Sequence, residues 1–167
     1  QSRFTVSELS DLLDTPALRE RFGMDEADLP TLRQWIHGAN IRWGLNAAQR
    51  KQLNLPELEQ NTWLFGLQRM LLGFAVGNSA SWQGIEPYQE VAGLEAALVG
   101  PLALLLDSLQ IAQQQLLQAH TPDAWLDLIE GLLGDFFVET SQADSWALTN
   151  LDIQLEALQS TWHESGL

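Results

Sequence analysis

Residues 91–119 read VAGLEAALVGPLALLLDSLQIAQQQLLQA, and this stretch decides the fold class. Leu94, Leu98, Leu102, Leu105, Leu109 and Leu116 recur at steps of three, four and seven, the period of one helix face. Pro101 is expected to kink this helix or split it in two, because proline removes one backbone bond and crowds the preceding turn. The rest of the chain has the same character. Its 32 leucines stand against 11 valines and isoleucines together. Leucine favours helix, while β-branched residues favour strands. No segment alternates apolar and polar residues long enough for a half-buried strand. The expectation is an all-α helical bundle.

Helix starts and stops lie on both sides of that stretch. Thr5 and Glu8 have capping-box spacing before Val6, Leu9, Leu12 and Leu13. Thr15-Pro16 opens a helix that Gly23 ends. Asp25 or Asp28 opens the next, with Leu29, Leu32, Trp35 and Ile36 inward and Gly38 as its stop. A loop follows over residues 39–44, and Asn46 caps a short helix over 47–53. Asn61 or Thr62 starts a helix with Trp63, Leu64, Leu67, Met70, Leu71 and Phe74 on one face. Residues 77–90, with Gly77, Asn78, Gly84 and Pro87, read as a long loop. Thr121-Pro122-Asp123 repeats the cap-then-proline start. A last helix, roughly 144–163, places Trp146, Leu148, Leu151, Leu155, Leu158 and Trp162 on a broad face.

At 167 residues the chain suits one domain, 1–167, with a core of its own. The absence of cysteine excludes disulfides, thiolate metal sites and a catalytic thiol. It also fits a reducing compartment, and a cytoplasmic location is expected. The longest uninterrupted apolar run, residues 96–106, is too short for the roughly 20 residues of a membrane span, so no membrane partner is expected. The missing initiator methionine suggests a piece of a longer polypeptide.

Charge divides the chain. All eight cations, Arg3, Arg19, Arg21, Arg33, Arg42, Arg50, Lys51 and Arg69, fall in residues 1–69, where nine acids leave a balance of −1. Residues 70–167 carry 13 acids and no lysine or arginine. Binding a phosphate backbone requires cations to neutralise it. The second part therefore lacks the means to bind nucleic acid in the usual way, and any DNA-facing surface belongs to the first 69 residues.

Catalytic signatures are missing. The single lysine, Lys51, follows Gln49-Arg50, so there is no glycine-rich phosphate loop. His37, His120 and His163 are far apart, outside any His-Glu-x-x-His spacing, and read as surface or helix-end residues. Gly77-Asn78-Ser79-Ala80-Ser81 misses the nucleophile elbow at its fifth position. Asp25-Glu26-Ala27-Asp28 spells an acidic box of some nucleic-acid-dependent ATPases. It follows a helix end rather than a buried strand, and reads as acids favouring a helix N-terminus. No catalytic residue, cofactor or metal site is expected.

Seven tryptophans remain. Trp35, Trp63, Trp125, Trp146 and Trp162 fall on apolar helix faces and read as core. For Trp43 and Trp82, in predicted loops, core packing and base stacking or a protein interface both stay open. Arg42-Trp43 beside Gly44 is the most suggestive local group, with a guanidinium and an indole on one turn. Together with Arg33, Arg50 and Lys51 they form the candidate contact set for DNA or a partner.

The residues also carry a family resemblance. Phe4-Thr5-Val6-Ser7, Leu12-Leu13-Asp14-Thr15-Pro16-Ala17, Arg21-Phe22-Gly23, Trp35-Ile36 and Ile41-Arg42-Trp43-Gly44-Leu45 occur in this order. They are followed by Asn61-Thr62-Trp63, Phe65-Gly66-Leu67, Arg69-Met70-Leu71-Leu72-Gly73-Phe74-Ala75 and Pro87-Tyr88. Together they resemble the RecC family, the gamma chain of exodeoxyribonuclease V in the bacterial RecBCD complex. The match is densest over residues 4–88 and continues thinly through Leu98-Val99-Gly100, Leu132-Leu133 and Phe136-Phe137.

The resemblance implies a fold like a superfamily 1 helicase whose ATPase motifs are lost, with this stretch as its 2B-type inserted helical subdomain. It implies RecB and RecD as partners, double-stranded DNA bound through the full complex, and a role in splitting the duplex and routing its strands. The ATP-dependent helicase and exonuclease activities belong to that complex. No catalytic residue of the family carries over to this stretch. Two other readings stand beside it: contact of residues 33–69 with duplex DNA, and a free-standing acidic helical module that binds a basic partner or mimics DNA.

Overall fold

The computed structural model describes residues 2–77 and 81–165; Asn78, Ser79 and Ala80, from the predicted loop and the elbow-like motif, lie outside them. Eight α-helices form among the described residues. They are α1 (Val6–Leu13), α2 (Pro16–Phe22), α3 (Leu29–Gly38), α4 (Ala47–Gln52), α5 (Trp63–Val76), α6 (Val99–Leu116), α7 (Pro122–Phe136) and α8 (Gln142–Ser165). Short 3₁₀ turns occupy Glu26–Asp28 and Gly93–Leu98. No strand forms among these residues, and β-type pairing is confined to two isolated bridges, Thr5 with Trp43 and Trp82 with Ile85. The fold is all-α.

The caps follow the sequence closely. The Glu8 amide donates to Thr5 Oγ1 at 3.3 Å, and the Thr5 amide donates to Glu8 Oε2 at 2.7 Å. That backbone bond is the main reason the Glu8 carboxyl titrates below its ordinary range. Asn46, Thr62 and Thr121 accept from the amides of Gln49, Phe65 and Ala124. Each side chain satisfies one amide that the first helical turn leaves unpaired.

Helix α6 is the hub. It buries Val99, Leu102, Leu105, Leu106, Leu109 and Ala112 and packs against α2, α5 and α7. Each fully buried leucine stabilises the fold by about 1.5–3 kcal/mol. Pro101 is the third residue of α6, in its first turn, where proline is tolerated. The expected break is realised two residues earlier, as the change from 3₁₀ to α geometry at Val99. That change displaces Leu94 from the core face; it is 96% exposed. Counted from Gly93 to Leu116, the helical segment is 24 residues long, and an 18-residue window within it has a mean hydropathy of 1.5, enough for a membrane span by length and composition. The uninterrupted-run criterion missed this because Asp107 ends the run without ending the helix. Its buried leucines belong to the bundle core.

One hydrophobic cluster runs from Leu9 in α1 to Phe136 in α7. Helix α5 enters it with Trp63, Leu67 and Met70, whereas Leu71 and Phe74 face outward, Phe74 with 62% exposure. The reason is glycine. The Ile41 side chain lies against Gly66 and the Tyr88 carbonyl against Gly73, so closely that a Cβ at either position would collide. The glycines therefore form the contact face, and the large side chains beside them rotate outward. The change in charge at residue 69 falls inside this same helix and marks no structural boundary.

Helix α8 departs furthest from expectation. It packs on α7, yet none of its described side chains is fully buried. Leu148, Leu155 and Trp162 are half-buried, while Trp146 is 72% exposed. The 3.6-residue period defines a face but does not say whether this chain covers it.

Three outcomes follow for chemical and alkaline denaturation. Gly73→Ala lowers stability by about 1–3 kcal/mol through overpacking. Gly131→Ala, in α7 with nothing within 4 Å of the added carbon, gains about 0.5–1 kcal/mol from helix propensity. Tyr88, the single tyrosine, is buried and donates to Glu90 Oε2 at 2.8 Å. Burial first, and the Glu90 bond second, push its hydroxyl well above the ordinary 10.0. The stability this provides is fully present below pH 10.0 and is lost as pH rises above it. Tyrosinate absorbance should appear together with unfolding, not before it.

Candidate partner and nucleic-acid interface

The segment that carries Arg42 and Trp43 is not a loose loop. Its backbone is stitched on two sides. Val6 donates to the Arg42 carbonyl at 3.1 Å, and Gly44 donates to that of Arg3 at 2.9 Å. On the other side the Asn61 carbonyl accepts from Arg42 at 2.9 Å, and the carbonyls of Gly44 and Leu45 accept from Trp63 and Leu64. Asn61, in the left-handed region at φ 66°, also donates its side-chain amide to the Asn40 carbonyl at 2.8 Å. The Trp63 indole completes the seam by donating to the Phe4 carbonyl at 2.8 Å.

Arg50 lies beneath this segment and is only 5% exposed. Its Nη1 donates to the carbonyls of Leu58 and Gln60 and its Nη2 to that of Trp43, each at 2.9 Å. The guanidinium carbon sits 4.0 Å from the centre of the Trp43 ring. Burial lowers the Arg50 pKa, and the Glu59 charge opposes that shift. Gly44 makes room for the side chain: its φ of +82° suits glycine, and an added Cβ would lie 3.0 Å from Arg50 Nε. Arg50 therefore holds the turn that displays Trp43, and its own side chain is not offered to a ligand.

Other cations are committed in the same way. Arg19 donates to the Leu13 carbonyl, Arg21 to that of Asp135, and Arg69 to those of Glu86 and Ala39. Lys51 pairs with Glu57 at 2.9 Å and Arg33 with Asp14 at 2.7 Å, both on the surface. Such exposed pairs contribute about 0–1 kcal/mol and exchange easily. Arg42 is exposed, and its side chain makes no hydrogen bond or ion pair among the described residues.

Arg42 nevertheless has company. It rims a pocket of about 160 Å³ together with Arg33 and His37, over a floor that includes Val6, Ile36 and Ile41. Arg33 and His37 are one turn apart on α3, and the stitched segment brings Arg42 to them. The structure thus joins Arg33 and Arg42, seats Trp43 on Arg50 and leaves Lys51 with Glu57. His37 is the member that sequence reasoning missed, although its four-residue spacing from Arg33 on a helix was a visible signal. A rim of this kind can hold a phosphate or a carboxylate. Ser10, also on the pocket lining, donates its hydroxyl to the Val6 carbonyl at 2.7 Å.

The remaining motifs settle into local roles. Asp25-Glu26-Ala27-Asp28 forms the turn that opens α3, and the Asp25 amide donates to Asp28 Oδ2 at 2.7 Å. His120 packs edge-on to Trp125, and His163 lies 3.3 Å from Asp123. Of the five tryptophans expected in the core, Trp35 and Trp63 are buried there; Trp125 and Trp162 are half-buried, and Trp146 is outside. Trp82 is exposed on its bridged turn.

These features define an all-helical domain in which four of seven arginines serve its own backbone and whose later helices show acidic and apolar surface together. A family model described as RecBCD enzyme subunit RecC fourth domain matches residues 1–167. The RecBCD enzyme subunit RecC of Escherichia coli K12 is 40% identical over 158 residues, which cover 94% of this chain and 14% of that protein. Those of Haemophilus influenzae (37% identical, 83% of this chain and 12% of that protein) and the Buchnera aphidicola of Acyrthosiphon pisum (30%, 98% and 15%) match likewise. The chain belongs to the RecC family and corresponds to its fourth domain.

Variants of the two central arginines should separate support from contact. Arg50→Ala costs about 3 kcal/mol in chemical denaturation, because three carbonyls lose a charged donor. Arg50→Lys recovers only part of this, since an ammonium cannot serve three acceptors and stack as well. Arg42→Ala leaves stability within about 0.5 kcal/mol.

Proposed function

We propose that this chain is a non-catalytic helical domain of RecC, a scaffold within the RecBCD enzyme that works on double-strand DNA ends in recombinational repair. One observation carries the reading. Arg19, Arg21, Arg50 and Arg69 are taken up by backbone carbonyls, while Arg33 and Lys51 pair with carboxylates on the surface. The basic part of the sequence is thus mostly internal bracing. The chain spans 12–15% of the three relatives' length, which supports a domain of a longer polypeptide over a free-standing acidic module. RecB and RecD are the partners this reading carries, the cytoplasm its location, and the 2B-type place in a helicase-like subunit its architecture. A preparation of this chain is expected to hydrolyse neither ATP nor DNA; ATPase activity that co-purifies with it would overturn the reading.

A second reading concerns DNA. The Arg42 side chain is exposed on a fixed backbone beside Arg33 and His37, which supports one phosphate contact with duplex DNA rather than a tract. In the assembled enzyme, Arg42→Ala should then weaken binding to DNA ends several-fold at low salt and reduce the salt slope by about one. An unchanged slope removes Arg42 from the DNA path.

A further inference from the structure

Helix α8 is long, yet it is covered on one side only. Its inward side chains, Leu148, Leu155 and Trp162, lean on α7. Trp146, Ile153 and Ala157 follow at steps of seven and four, which places them together on the opposite side. All three are exposed. Glu156, also exposed, borders this outer stripe. A helix draws most of its stability from a packed face, and α8 buries no described side chain fully. On the inner flank of α8 a groove of about 200 Å³, lined by Ala17, Leu133, Phe137, Leu148 and Leu151 with Asp144, is left open.

We propose that the outer face of α8 is the seat of another part of the RecC polypeptide, an apolar surface edged with lysine and arginine. This rests on the scaffold reading and names the surface through which it acts. Two observations select the occupant. These residues make up 14% of the length of the Escherichia coli relative, so most of such a polypeptide lies outside them. A tethered surface meets α8 at an effective concentration that a separate subunit does not match. Charge supplies the second argument. Residues 70–167 contain acids and no lysine or arginine, so the border of the stripe attracts a basic rim and repels a second copy of itself.

The test uses full-length RecC with Trp146→Cys or, separately, Ile153→Cys, and reads maleimide labelling of that position by peptide mass spectrometry. In RecC alone, labelling at both positions should be at least about tenfold slower than in the denatured chain, and adding the other subunits should change it little. Fast labelling in RecC alone overturns the proposal, whether or not the other subunits then slow it; slowing would assign the face to them. Should Trp146→Cys not yield folded RecC, Ile153→Cys and Ala157→Cys decide. The scaffold reading stands or falls separately, on the ATPase measurement.

Discussion

The guanidinium of Arg50 is buried and has no ion pair among the described residues. It is held by three carbonyls from residues 43, 58 and 60 and by the face of Trp43. Those carbonyls lie outside helices and strands, so without Arg50 they would need solvent or another donor. The connection from α4 to α5 wraps this one side chain. The stitched backbone above it fixes the entry of α5 and the position of residues 3–6 at once. A buried charge is tolerable on these terms because three of its five N–H donors reach carbonyls; Nε is a buried atom without a partner among the described residues.

The same device recurs at two other irregular stretches. Arg19 braces the α1–α2 turn through the Leu13 carbonyl. Arg69 ties the segment before Tyr88 to the end of α3 through the carbonyls of Glu86 and Ala39. Planar guanidinium groups with several donors suit this work better than lysine does, which fits a chain with seven arginines and one lysine. A basic stretch in an acidic protein is therefore no evidence by itself of an anionic ligand; donors already spent on carbonyls must be set aside first.

This separates what was legible in the sequence from what was not. The helices at Thr5, Asn46, Thr62 and Thr121 were readable because a cap acts within four residues and leaves a local mark. The use of Arg50 left none, since its acceptors are carbonyls that every residue possesses. Helix faces stood between these cases. Leu102, Leu105 and Leu109 pointed inward as their spacing required, whereas Leu71 and Phe74 did not, because Gly66 and Gly73 set the rotation of α5 by close approach. Of the candidate contacts, Arg33 and Arg42 came together through the stitched segment, a tertiary event without a periodic signature.

The exposed apolar residues of the later helices pose the complementary problem. Leu104, Ile111, Trp146 and Ile153 all lie open, and surface of this kind invites self-association. Thirteen acids without a lysine or arginine over residues 70–167 act against it, because two copies brought face to face would set like charges together. The same charge favours a partner whose border is basic. Uniform sign thus does for these helices what a mixed surface could not. It leaves apolar faces available for one kind of neighbour while penalising contact between copies, so specificity rests on repulsion as much as on fit.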